Sequence, residues 1–178
     1  IKAAKRVVGR YLTTIAGRDL HVPLWIQHYN MVENLKRVAP LAEKAGVVLG
    51  IEPTNEQGFP GMLIHHIGDA YAVVRAVDSP AARLVFDAFH VQGMDGDLIR
   101  NFDRTRDAIG IIQIADNPER LEPGTGEINF VNFLRHVRAS GYAGLVELEH
   151  AVGRPGADGE QAALSDLQAI NAAISASE

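Results

Sequence analysis

Short apolar runs alternate with amphipathic segments along this chain at a regular spacing, and that rhythm limits the fold more than any other feature. The runs are Tyr11–Ala16 (YLTTIA), Val47–Glu52 (VVLGIE), Leu84–Asp87 (LVFD), Gly110–Ile114 (GIIQI) and Leu145–Glu149 (LVELE). Helical patterns fill the gaps, at Met31–Ala45, His66–Val77, about Asp97–Ala108, Asn129–Ser140 and Gln161–Ser175, after a short first helix in IKAAKRVVG. Gly46, Ser79-Pro80 and Gly141 stand where helices should stop or start. Such alternation sets parallel strands side by side with helices outside. The run ends Ala16, Glu52, Asp87, Gln113 and Glu149 follow one another at intervals of 36, 35, 26 and 36 residues. A (β/α)8 barrel averages about 31 residues per unit. Five units fit 178 residues, and eight do not. The expectation is one α/β domain over residues 1–178. It is either an open five-stranded sheet or an incomplete (β/α)8 TIM barrel holding the last five βα units. No G-x-G-x-x-G turn follows any strand, so nothing supports a dinucleotide-binding open sheet.

Composition narrows the class further. With 47% hydrophobic and 22% charged residues the chain has the balance of a globular protein. A formal net charge of −5 leaves no basic surplus for a phosphate backbone, so no nucleic-acid partner is expected. Cysteine is absent, which excludes disulfides and thiolate zinc sites. No apolar run approaches the roughly 20 residues of a membrane span, and the first residues lack the apolar length of a signal peptide. A soluble, cytoplasmic protein with no membrane partner is the expectation. The chain opens on Ile1 inside a helical pattern, which reads as a fragment boundary.

Four consecutive strands finish with a ligand-type side chain: Glu52 in GIEPTN, Asp87 in VFDAFH, Gln113 in IIQIAD and Glu149 in VELEH. The carboxyl ends of parallel strands open on one side of an α/β fold, where active sites are built. Each residue alone could pair with a nearby Arg or Lys or cap the next helix. On successive strands at barrel spacing, a shared site is the stronger reading. Three carboxylates facing one another repel and take up protons unless a cation sits between them. With an amide oxygen they form a hard, oxygen-rich set suited to Mg²⁺ or Mn²⁺. Glu52, Asp87, Gln113 and Glu149 are therefore the expected metal ligands. An ion held by a carbonyl and an adjacent hydroxyl lowers the cost of an enediolate. Glu52 and Glu149 could then flank the substrate as catalytic proton donor and acceptor. The reaction class is isomerisation or epimerisation of a small hydroxy-carbonyl compound.

The segments IEPTN, FDAFHVQ, IQIADNPERLEPGTGEINF and GYAGLVELEH resemble the hydroxypyruvate isomerase family, within the xylose-isomerase-like sugar isomerase/epimerase barrels. The similarity runs from about Val47 to Glu149, and Gln113–Phe130 is its most specific part. The resemblance implies conversion of hydroxypyruvate to tartronate semialdehyde. It also implies a divalent metal at Glu52, Asp87, Gln113 and Glu149, with Glu52 and Glu149 exchanging the proton. Two departures stand out. Relatives usually read PGRHEPG where this chain has Pro118-Glu119-Arg120-Leu121-Glu122-Pro123-Gly124, and an aromatic often follows the last glutamate where this chain has His150. The three preceding βα units of the family barrel are also missing.

Other residues carry weaker signals. His90, expected in the loop after Asp87, could donate to a substrate oxygen, as the resemblance also implies. Arg120 could clamp a substrate carboxylate with its planar fork or pair locally with Glu119 or Glu122. Glu127 could reach the site or simply precede the next helix. His65 and His66 invite a metal reading, but adjacent residues at a helix start point apart, and His66 reads better as a turn or capping residue. Glu147, two before Glu149, faces the same side of its strand without an assigned role. Trp25 and Tyr29, placed before the helix at Met31, could wall the pocket or pack. Open sheet edges also favour pairing with another chain, a homo-oligomer among the options. Three alternatives stay open: a ketose 3-epimerase, a non-catalytic fragment, and a DNA-repair endonuclease. The last would need a histidine-rich trinuclear metal cluster and a basic face, which the sequence does not display.

Overall fold

The structure, a computed structural model, describes residues 1–175, so the last three residues of the expected domain lie outside the described residues. Five strands form one parallel sheet in chain order: β1 (Tyr11–Thr14), β2 (Val48–Ile51), β3 (Ala82–Asp87), β4 (Ile109–Ile114) and β5 (Leu145–Leu148). The helices are α1 (Lys2–Arg6), α2 (Leu24–Ala45), α3 (Ile67–Val77), α4 (Ala88–Met94), α5 (Leu98–Thr105), α6 (Phe130–Ala139) and α7 (Ala157–Ser175). The sheet is a curled half-barrel, not a flat or doubly wound one. One hydrogen bond displays the curl: Tyr11 Oη on β1 donates to the Gly110 carbonyl on β4 at 2.9 Å. In a flat sheet strands three places apart lie about 14 Å from each other. A glycine suits this crowded position, because a Cβ at Gly110 would stand 2.7 Å from Arg83 Cβ on β3 and 3.3 Å from Tyr11 Cε1.

Alternation along the strands sorts the side chains into two layers. Phe86 on β3 faces the helices, stacks on Phe133 of α6 (5.8 Å between ring centroids) and meets Phe102 of α5 edge-on (6.1 Å). Its neighbour Asp87 faces the concave side, in register with Gln113 of β4, which is in register with Glu147 of β5. Central strands buried on both faces need continuous apolar sequence, as LVF and IGII supply. The edges differ. β5 is exposed along its whole length and β1 is only partly covered, because neither has a second neighbouring strand.

The structure corrects several expected boundaries. α2 begins at Leu24, seven residues before Met31, because Pro23 sits at its N-cap and a proline is well tolerated at a helix start. Trp25 and Tyr29 therefore lie on the exposed face of α2, not ahead of it. Gly46 ends that helix in the left-handed conformation (φ 67), as its position in the pattern suggested. β1 stops at Thr14, short of Ala16. α4 was not expected at all, since its seven residues are too few to show a helical period.

The aromatic contact between β3, α5 and α6 generates a stability prediction. Phe86→Ala should cost about 3–5 kcal/mol, as for other large-to-small aromatic changes in a packed core. It should appear in urea unfolding as a lower midpoint with an unchanged slope. A loss under about 1 kcal/mol would mean that the sheet and these helices are not held together through this cluster.

Candidate active site

Asp87 ends β3 with no side-chain exposure, and three local features account for its burial. It is the N-cap of α4, and its Oδ1 accepts the Phe89 backbone N–H at 2.8 Å. Its Oδ2 accepts from Arg120 Nη2 at 3.2 Å and lies 3.5 Å from His90 Nε2. Helix capping, a guanidinium and an imidazole thus surround one carboxylate.

His90 lies in the first turn of α4 and is buried, not in an exposed loop as expected. Its Nδ1 accepts the Asn55 backbone N–H at 3.0 Å, which fixes the tautomer. The ring proton must then sit on Nε2, which lies 3.6 Å from Glu52 Oε1 and has no hydrogen-bond partner among the described residues. Burial, and secondarily the Arg120 charge, lower the His90 pKa to about 3, so the ring is neutral. Ligand atoms of Glu52, Asp87 and His90 lie within 4.8 Å of one another, a buried group that could hold a metal ion. The tautomer assigns the parts within that group: the carboxylates offer lone pairs, and Nε2–H offers a proton.

Glu52 follows β2 and is largely buried. Its pKa is raised to about 8, first by burial and then by the charges of Asp87 and Glu149, with Arg120 opposing. The Asp87 pKa is raised to about 7, again mainly by burial, with Arg120 and the Phe89 N–H opposing. The mutual repulsion expected of clustered carboxylates is therefore present. Glu149, just past β5, is half-exposed and lies 3.3 Å from Arg120 Nη2. Gln113 is buried at the end of β4; its Nε2 donates to Glu147 Oε1 at 2.8 Å, and its Oε1 has no partner among the described residues.

Arg120 bridges Asp87 and Glu149, which overturns the alternative of a local pair with Glu119 or Glu122. Its guanidinium lies over the rings of Phe59 (5.6 Å) and Phe89 (5.3 Å), a cation–π wall for the site. Its backbone is left-handed (φ 55), a conformation that costs a residue with a Cβ about 1–2 kcal/mol. The loop after β4 enforces it. Buried Asp116 accepts the Asn117 and Ile128 N–H groups on Oδ1 and the Gly124 N–H on Oδ2. Glu122 turns away from Arg120 and takes the Gly153 N–H at 2.9 Å, tying this loop to the one after β5. Sequence reasoning passed over Asn55, Phe59, Phe89 and Asp116, and weighed Glu122 only as a partner of Arg120. Asp116 sits in the most distinctive segment but reads as an ordinary polar loop residue.

Glu127 is exposed and accepts from Gln92 Nε2 at 3.2 Å, a contact that does not join it to Asp87 or Glu52. His66 precedes α3 and pairs with Asp95, whose other oxygen accepts the Ile67 N–H. His65 contacts the Thr54 carbonyl at 2.6 Å. His150 contacts the Ala151 carbonyl.

Comparison with known proteins places this chain in a family. Residues 1–173 match the model of the xylose isomerase-like TIM barrel. The chain is 37% identical over 123 residues to hydroxypyruvate isomerase of Escherichia coli, covering 69% of this chain and 48% of that protein. It is 35% identical over 119 residues to 2-oxo-tetronate isomerase of Cupriavidus necator, covering 67% and 46%. The chain thus spans about half the length of the curated relatives it matches. Among solved structures it superposes with TM-score 0.79 and 30% identity on a family 2 AP endonuclease from Brucella melitensis, covering 84% of this chain and 58% of that one. It superposes on 3-keto-D-glucoside 4-epimerase of Escherichia coli with TM-score 0.79, 23% identity and coverage of 96% and 67%, a likeness of fold. Five parallel strands in barrel order, with acids at the carboxyl ends of three of them and named isomerases among the relatives, lead to one conclusion: the chain belongs to the xylose isomerase-like TIM barrel family.

Proposed function

We propose that this chain carries the catalytic half of a metal-dependent isomerase acting on a small hydroxy-carbonyl acid of the hydroxypyruvate type, within a single partial-barrel domain. The observation that carries this reading is Arg120 lodged between Asp87 and Glu149, beside a neutral His90 whose Nε2–H faces Asp87 and Glu52. Glu52, Asp87, Gln113 and Glu149 would hold Mg²⁺ or Mn²⁺. The fit rests on the unpartnered buried Gln113 Oε1 and on carboxyls that burial and mutual repulsion push up toward neutral pH. When bound, the ion would stabilise negative charge on the substrate oxygens. Glu52 would take a proton from one carbon and Glu149 return one to its neighbour, or the reverse. Glu52, with a pKa near 8, is close to the poise such an exchange needs. His90 would donate from Nε2 to a substrate oxygen. Arg120, whose Nε is buried without a partner, would receive the substrate carboxylate. Glu127 would contribute only if the loop after β4 moves inward.

A neutral ketose with epimerisation at one carbon is the second reading, supported by the epimerase folds among the structural neighbours. Arg120 favours an acid substrate over it. The endonuclease reading is weaker, because the clustered strand ends supply carboxylates and an amide with a single histidine. The exposed β5 and open β1 edges support pairing with further chain, including a homo-oligomer. Among the described residues no helix is long and apolar enough to cross a membrane.

Two predictions follow from these roles. In the folded chain Glu52 and Asp87 hold protons that the unfolded chain, with ordinary carboxyl values of 4.5 and 3.8, has released. Stability of the metal-free chain should therefore fall as pH rises from about 5 to 8. Mn²⁺ should raise the melting temperature more at pH 8 than at pH 5.5. A melting temperature flat across this range and unmoved by Mn²⁺ would overturn the metal site. The second prediction is kinetic and applies to a complete barrel carrying this chain. Glu52→Gln and Glu149→Gln should each lower kcat about 10² to 10⁴-fold, and the double variant less than the product of the two. Asp87→Asn should instead be partly rescued by excess Mg²⁺ or Mn²⁺. Arg120→Ala should raise KM for hydroxypyruvate far more than for a neutral ketose. Near-normal turnover of both glutamine variants with metal bound would sink the two-glutamate mechanism, whereas an unselective Arg120 effect would remove only the acid substrate.

A further inference from the structure

We propose that Glu147 is a positioning residue for the metal site: it holds the Gln113 side-chain amide so that the carbonyl oxygen, not the NH₂ group, is offered beside Asp87. The proposal rests on the metal reading above and concerns how one ligand of that set is oriented.

Three observations carry it. Asp87, Gln113 and Glu147 stand in register on β3, β4 and β5, so they form one row across the concave face. Within that row Gln113 Nε2 donates to Glu147 Oε1 at 2.8 Å, which turns the amide's donor end toward β5. A carboxylate is an acceptor, so the reverse orientation would set two oxygens against each other. The third observation is the other end of the amide. Gln113 Oε1 is buried without a hydrogen-bond partner among the described residues, a costly state for a carbonyl oxygen. A cross-strand pair made only for stability would not need to leave that oxygen bare.

Free rotation of the Gln113 amide would present either an oxygen or an NH₂ group to a cation, and only the oxygen can ligate it. Partners that fix the orientation of a metal ligand are commonly worth 10- to 100-fold in metal affinity. Glu147 supplies that constraint from outside the ligand set. It is also one of the charges that raise the Glu52 carboxyl, so it stands close to the cluster it serves. Two residues further on, Glu149 faces the same side and reaches Arg120, which divides the work of β5 between its two acids.

The test titrates Mn²⁺ into the metal-free chain and follows free Mn²⁺ by electron paramagnetic resonance, for the wild type, Glu147→Ala and Glu147→Gln. The Gln113 side-chain NH₂ resonances are read in parallel by ¹⁵N NMR, and unfolding curves establish that each variant is folded. Glu147→Ala should weaken Mn²⁺ binding about 10-fold or more and move the Gln113 resonances toward those of a free amide. Glu147→Gln keeps an acceptor oxygen and should retain most of the affinity and the bonded resonance positions. Equal weakening in both variants would mean that Glu147 acts through its charge, and would overturn the positioning role. Unchanged affinity in Glu147→Ala, in a chain whose wild type binds Mn²⁺, would also overturn it while leaving the metal reading intact. A wild type that binds no Mn²⁺ would remove both.

Discussion

The arrangement depends on one unfavourable burial: carboxylates placed at the ends of strands that the core requires to be dry. Asp87 is the extreme case, with no side-chain exposure, and Glu52 lies beside it. Each burial raises a carboxyl toward neutrality, and nearby acids push Glu52 further. The fold offsets this with three kinds of positive potential: the N-terminus of α4, the Arg120 guanidinium and the Nε2–H of a neutral histidine. An isolated buried acid would simply stay protonated. Acids held in this balance can change protonation near neutral pH, which proton transfer at carbon requires.

Arg120 can serve that balance because a loop pins it. The left-handed backbone at Arg120 is unfavourable locally, and Asp116 offsets it by taking three backbone N–H groups of the same loop. The Arg120 carbonyl accepts the Ala151 N–H, and Glu122 takes that of Gly153, so the loops after β4 and β5 are tied together. The position of Arg120 relative to Glu149 is thereby set by backbone contacts as well as by charge. Strain concentrated at the one arginine of a carboxylate cluster is the pattern expected where position matters more than local comfort.

The half-barrel has an asymmetric consequence. On β3 and β4 the residues facing the helices and those facing the concave side are both buried. On β5 both sets are exposed, including Leu145 and Val146. Glu149 and Glu147 therefore sit on the least supported strand of the site, while Glu52, Asp87 and Gln113 sit on the best supported.

The strand–helix rhythm and the polar ends of the strands were legible in the sequence for a simple reason. Strand alternation and buried parallel runs are local patterns, and Glu52, Asp87, Gln113 and Glu149 interrupt them with charged or amide groups where a core has no use for polarity. The family likeness was legible too, because the segment from Gln113 to Phe130 is distinctive. Helix α4 was not, since seven residues carry no readable period, and so His90 was expected in a loop. The start of α2 was missed because Trp25 and Tyr29 are exposed apolar residues that hide the amphipathic pattern. Partners were the least legible of all. That Arg120 chooses Asp87 and Glu149 over Glu119 and Glu122, that His90 carries its proton on Nε2, and that Glu147 takes the Gln113 amide are decided by residues 29 to 35 positions away in sequence. The sequence by itself determined which residue types reach the carboxyl ends of the strands. Only the tertiary structure decided which of them touch, because curling the sheet brings side chains from different strands within hydrogen-bonding distance, and no local pattern encodes that distance.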